Sequence, residues 1–452
     1  MRYHAISVLS LIAIAAVPLA FHAKPTSRPW DNMNTKHSLK TVPENWESLG
    51  HPPTGTTINL YVALKPDRET ALIDALHEVS DPGHPKHVSP PLLLTPIYSP
   101  VPLLLCRYGA HCSKEQVANL VSPHPDTLEL VHSWLRHYGI PLSSISTTHG
   151  GNTITLTGLS ITQADELLSA SYKVYRHVET NQTIVRTIGY SLPASLYGHV
   201  WTVAPTTHFA SPHVGERKLG QRLSGRTEEP AMGVSGEPVT GMSGHDDGAT
   251  TPTFLRWLYN TWGYTPAATS WNRLAIVGFL GDYPSFTDLA AFMQKYRSDG
   301  VDATYSAVLI NHGNLKYDPS IGHGNGEANL DLQYAQGMAY PTPLVFYSIG
   351  LGFSGTEDGH LAWLGNVIEQ LHVPQTISIS YSTEEKEYSN TYADYICFLF
   401  AQLAVRGASV LGSTGNDGVG KDCTTSDGFF RLTTNLPATC TCGVCPRLAS
   451  RS

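Results

Sequence analysis

The 452-residue sequence has no long run of lysine and arginine, and its formal net charge is −8. It therefore lacks the basic footprint that binding a phosphate backbone requires, and no nucleic-acid partner is expected. Charged residues are sparse at 15%, against 41% hydrophobic residues, the balance of a chain that buries a core rather than of a disordered one. Long apolar runs are missing too. The run over residues 5–20 is shorter than the ~20 residues that cross a bilayer and contains Pro18. The run over 88–106 holds Pro90, Pro91, Pro96, Pro100 and Pro102 and cannot form a spanning helix. No membrane partner is expected. There is no HExxH, no GxSxG nucleophile elbow and no internal repeat, so zinc hydrolysis, a Ser-His-Asp hydrolase and a solenoid all lose their signatures. Cysteine is scarce at seven, an odd number that leaves at least one thiol unpaired. Cys440, Cys442 and Cys445 make half of a zinc ribbon, but no second CxxC follows, so one disulfide plus free thiols is expected there.

What is present is ordered along the chain. Arg2, the first apolar run and AFHAKP follow the order of a secretory signal peptide, predicted over residues 1–23, which makes the protein secreted and extracellular. The length predicts two domains with linkers. INLYVAL (58–64) reads as a strand, and Ala71, Leu72, Ala75, Leu76 and Val79 then lie on one helical face. SKEQ (113–116) and DTLE (126–129) have capping-box spacing and open two further helices. TITLT alternates, TQADELL is helical, and YKVYRHV and TIVRT form a hairpin around Asn181, whose Asn-Gln-Thr triplet is the only glycosylation sequon. An α+β unit is thus predicted over 42–205, interrupted by the Pro-rich insert 88–106. Residues 206–250 read as an exposed linker that proteases would cut. From 251 to 452, strands alternate with helices: RLAIVGFL, YSAVLI, PLVFYSI, QTISIS and ASVLGS are separated by helical stretches. That alternation predicts an α/β domain with a doubly wound parallel sheet, whose functional residues gather where strands end and helices begin. After Cys423 neither period continues.

The segment GHGNGEANLDLQYAQG (322–337) runs from a glycine-rich loop into a helix, with Glu327 and Asp331 four residues apart on one face. A close carboxyl pair splits its pKa values and can act as a base held in place by its neighbour. Asp74 and Glu78 share that spacing, so the interval alone is not specific.

Context adds the specificity. GEANLDLQYA, then PQTISISYS (374–382), then YADYICFLFAQLAVRGASVLGSTGNDGVG (392–420) resemble the sedolisin family of serine-carboxyl peptidases, particularly secreted tripeptidyl peptidases. EVSDPGHPK, YGAHCSKEQVANLVSPHPDTLELVHSWL and RTIGYSLPASLYGHV extend the resemblance into the N-terminal half. It implies a subtilisin-like doubly wound parallel sheet preceded by an α+β, ferredoxin-like pro-domain that contacts the peptidase domain, with peptides or proteins as substrates and calcium as cofactor. It also implies roles: Glu327 as general base for a serine nucleophile, Asp331 orienting Glu327, and Asn416 at the position of the oxyanion aspartate, with Asp417 one later. A glutamate base suits acid, because a carboxyl of pKa ~4.3 still accepts a proton where a histidine of pKa ~6.5 is already charged. The family's GTS-type serine motif and its calcium loop belong downstream of STGNDG and have no counterpart before Ser452. The expectation is a truncated sheet and an inactive chain without its nucleophile, or alternatively a non-catalytic pseudo-peptidase whose pro-domain binds or chaperones an intact relative. The insert and the divergent tail from residue 440 read as translated intron sequence. His77, His111, His124, His132 and His137 would gain charge in acid and could loosen the pro-domain.

Overall fold

Segments with the alternating apolar period and segments with the helical period fall into two blocks, both visible in a computed structural model that describes residues 30–80, 111–209, 250–267, 271–316, 326–350, 355–356, 358–415 and 434–440. The first block comprises β1 (Met33–Ser38), β2 (Trp46–Gly50), β3 (Thr57–Leu64), α1 (Ala71–Ser80), α2 (Lys114–Val121), α3 (Pro125–His137), β4 (Ile145–Thr147), β5 (Thr153–Ser160), α4 (Ile161–Leu168), β6 (Lys173–His177), β7 (Thr183–Arg186), β8 (Gly189–Pro193) and β9 (Val200–Ala204). Its strands pair antiparallel throughout, in the orders β4-β5-β3-β9, β2-β6-β7 and β1-β8. Leu72, Ala75, Leu76 and Val79 are buried as the periodicity of α1 requires. Ser113 and Gln116 close a capping box on α2, and Ser160 and Gln163 close a second one on α4. The box expected at Asp126 is replaced. Pro125 occupies the first helical position of α3, so the cap falls on His124, whose Nδ1 accepts the Asp126 N–H at 3.2 Å. Asn181 sits exposed with φ 57° in the β6–β7 turn.

The second block comprises α5 (Pro252–Leu258), β10 (Leu274–Gly278), α6 (Phe286–Tyr296), β11 (Tyr305–Ile310), α7 (Gly326–Ala339), β12 (Leu344–Ile349), α8 (Gly359–Glu369), β13 (Thr376–Ile379), β14 (Thr383–Glu384), α9 (Asn390–Val405), β15 (Ser409–Gly412) and β16 (Asn435–Leu436). Five strands form a parallel sheet in the order β11-β12-β10-β13-β15. The central strand β10 reads apolar throughout because both its faces are covered: Ala275 and Val277 pack with α8 and α9, while Ile276 packs with α6 and α7. The chain runs from β10 out to β11, returns through β12, and crosses to β13 and β15. The winding therefore reverses beside β10, the place where such sheets form a crevice at their carboxyl ends. The segment after Cys423, expected to lack regular structure, contributes the two-residue strand β16, which pairs with β14.

The blocks share one apolar cluster. Tyr61, Ala63, Leu76 and Ala204 of the first lie in it together with Leu361, Trp363, Tyr395 and Phe400 of the second. Trp201 packs its ring 5.1 Å from Phe398, the Cys112 N–H reaches the Val405 carbonyl at 2.9 Å, and Lys114 pairs with Glu369 at 2.7 Å. Helix α9 is apolar nearly all round, with eleven buried residues, because it is covered on opposite sides by the parallel sheet and by the first block. Thr206, Thr207, His208 and Phe209, the first four residues of the segment read as linker, are buried. Cys440 of the tail cluster pairs with Cys397 on α9. No helix among the described residues is long and apolar enough to cross a membrane.

Candidate active site

Helix α7 begins at Gly326, so Glu327 stands in its first turn and Asp331 one turn further on the same face. Both are half-buried. Burial raises the Glu327 carboxyl above its ordinary 4.5, and the charges of Asp331 and Asp282 push the same way. Burial likewise raises Asp331 from 3.8 to about 6, helped by Asp282 and opposed by a hydrogen bond from Ser380. Both carboxyls thus lie on one face of α7, with Ser380, just past β13, as the hydrogen-bond partner of Asp331.

Asp282 was not foreseen. It follows β10 through a turn in which Leu280 (φ 63°) and Gly281 (φ 74°) are both left-handed. Its side chain is buried, its Oδ1 accepts the Tyr283 N–H at 2.9 Å, and its Oδ2 accepts the Ala328 N–H and the Tyr381 hydroxyl, each at 3.1 Å. Burial and these acids also raise the Tyr381 phenol, keeping it a donor. One signal could have found Asp282: an acid one residue past a glycine at the end of a central parallel strand lies where such folds place ligands.

The loop at 322–325 and the turn holding Asn416 and Asp417 lie outside the described residues. Just before them, the Ser413 N–H reaches the Ile379 carbonyl at 2.9 Å and its hydroxyl reaches the Ser380 carbonyl at 2.8 Å. β15 thus leaves the sheet beside the strand end that serves Asp331. Among the described residues no group of three or more His, Cys, Asp or Glu side chains converges as a metal site. Of the five histidines expected to act as an acid switch, none is fully buried; the shielded ones are His177, His208 and His360.

An α+β block packed on a parallel-sheet domain with an acid pair at its carboxyl end is the arrangement expected of a peptidase precursor, and the sequence relatives are peptidases of that kind. The family model of the pro-kumamolisin activation domain matches residues 106–209. Tripeptidyl-peptidase SED2 of Arthroderma otae is 28% identical over 450 residues, covering 96% of this chain and 69% of that protein. A probable tripeptidyl-peptidase SED3 of Arthroderma benhamiae is 25% identical over 457 residues, covering 97% and 69%. Among solved structures, Pseudomonas sedolisin, a serine-carboxyl proteinase, aligns with 43% of this chain and 52% of its own at 20% identity and a TM-score of 0.31. Over most of its length the chain is similar to the tripeptidyl peptidases of the sedolisin family.

Proposed function

We propose that the chain is the precursor form of an acid-acting serine-carboxyl peptidase, with Glu327 as general base and Asp331 as the residue that holds it. The observation that supports this is the pair itself: two half-buried carboxyls one helical turn apart beside the reversal of the parallel sheet, both with raised affinity for protons. In acid such a pair holds one proton between two carboxyls, so the neutral member orients the ionised one by donating to it. The ionised member then takes the proton of a serine hydroxyl as its oxygen attacks a peptide carbonyl. The relatives' names support tripeptide release from peptides or proteins as the reaction.

The strand order β4-β5-β3-β9, with α1–α3 after β3 and α4 after β5, supports a ferredoxin-like activation domain, and the five parallel strands support a subtilisin-like peptidase domain. Asn416 would serve the oxyanion through its amide N–H. Secretion, a glycan on exposed Asn181 and calcium as cofactor belong to the same reading. The sequence contains no GTS motif, so this chain is expected not to turn over by itself. That absence favours a second reading, in which the chain binds substrates or an intact relative without cleaving anything.

The intact chain, incubated near pH 4 with a tripeptidyl-fluorophore substrate, should release nothing, while calorimetry should detect tripeptide binding that Glu327→Gln weakens. Turnover that Glu327→Gln abolishes would keep the acid pair and end the expectation of a missing nucleophile. Neither turnover nor binding would end the peptidase reading.

A further inference from the structure

We infer that Asp282 is a positioning residue for the acid pair: its carboxylate fixes the first turn of α7, which carries Glu327, against the exit of β13, which carries the partner of Asp331. The inference rests on the reading of Glu327 and Asp331 as that pair.

Three segments meet on this one side chain. Its own turn is held by the Gly281 N–H on the Ile349 carbonyl at 3.0 Å and by the Asp282 N–H on the Phe279 carbonyl at 3.1 Å. Within that turn Leu280 occupies the left-handed region, a conformation a branched side chain avoids unless its surroundings impose it, and one that collects at functional sites. The turn delivers Asp282 to 6% exposure. There Oδ2 takes the N–H of Ala328, the residue directly after Glu327, and the hydroxyl of Tyr381, the residue directly after Ser380. Ser380 in turn bonds Asp331. A single carboxylate thus sets the separation between the two supports of the acid pair.

An ordinary helix cap would come from the residues just before α7, and its loss would cost stability alone. Asp282 comes from another strand, and its charge bears on Glu327, Asp331 and Tyr381 together. Its removal should therefore change how the pair holds protons as well as how firmly the helix is seated.

The test is a carbon-13 carboxyl titration of the full chain, labelled at Asp and Glu, comparing the native protein with Asp282→Asn. In the native protein Asp331 should titrate near 6, and Asp282→Asn should lower the Asp331 and Glu327 midpoints by about half a pH unit or more. Raised native midpoints that Asp282→Asn leaves in place overturn the inference and spare the acid pair. Native midpoints at ordinary carboxyl values overturn the acid pair and this inference with it. Should Asp282→Asn fail to fold, Tyr381→Phe carries the test. Loss of the hydroxyl frees Asp282 from the exit of β13, so both midpoints should shift, and midpoints that stay put overturn the inference.

Discussion

Nε2 of His208, from the activation side, lies 3.0 Å from the carboxylate of Asp358, which caps α8, and both side chains are sealed from water. Asp358 also accepts the Tyr392 hydroxyl, at 2.8 and 3.0 Å, and the Leu361 N–H at 3.0 Å. His208 stacks on Tyr392 with ring centres 4.5 Å apart, and its carbonyl accepts the Arg186 Nε–H at 2.9 Å.

This contact should be acid-labile. Burial pushes the His208 imidazole below 6.5, against the attraction of Asp358, and the Arg186 charge adds to the depression. Burial would raise Asp358, yet His208 and then His360 hold it well below the usual carboxylate range. Both groups bind protons more readily when the blocks separate, so the docked state has its full stability above about pH 6.5. It loses stability first as free His208 charges below 6.5 and again as free Asp358 protonates below about 3.8. Trp201 fluorescence, followed from about pH 7 to 3, should report separation, and His208→Gln should move its midpoint toward acid because glutamine keeps a donor and does not titrate. A superimposable curve for the variant removes His208 from the response.

Gly355 should tolerate no side chain. Its φ is 69°, and a Cβ there would stand 2.2 Å from the Thr183 carbonyl oxygen of β7, while its own carbonyl accepts Arg186 Nη1 at 3.0 Å. Gly355→Ala is expected to destabilise the docked chain by about 1–3 kcal/mol, measurable as an earlier urea midpoint. A midpoint equal to that of the parent would show that the two backbones can part without cost.

Asp331→Asn should reverse a pH trend. Because its folded-state pKa is raised from 3.8 to about 6, the native carboxyl imposes no penalty below about pH 3.8 and its full penalty above 6, at most about 3 kcal/mol. Urea unfolding should therefore show the variant gaining on the native protein between pH 4 and 7. Parallel stability profiles would mean that Asp331 is solvated like any surface acid.

Breaking the bridge between Cys397 and Cys440 should be costly. It closes a loop with a sequence separation of 43, for which chain entropy gives about 4 kcal/mol as an upper figure. Replacing both cysteines by serine should lower unfolding stability by about 2–4 kcal/mol, read as an earlier urea midpoint, and an unchanged midpoint would show that the bridge constrains nothing.

Local signals explain which features the sequence revealed. The parallel sheet was legible because each strand, from RLAIVGFL to ASVLGS, is apolar and bounded by a helical period. Glu327 and Asp331 were legible because helical geometry alone brings residues four apart together. Asp282 and Tyr381 meet across 99 positions, and His208 and Asp358 across 150, through strand order and docking that no local pattern encodes. The cap on α3 lies two residues before Asp126, at His124, because Pro125 takes the first helical position. Cys440 was grouped with its sequence neighbours, although its partner lies on α9.

The apolar cluster that runs from Tyr61 and Ala204 through Tyr395 to Val410 ignores the boundary between the two blocks. A chain built this way should melt once, in a single calorimetric endotherm, because the shared cluster couples the unfolding of the two blocks. Nicking the backbone between residues 210 and 249 would therefore leave two pieces behaving as one particle, and release would depend on the seam rather than on the cut.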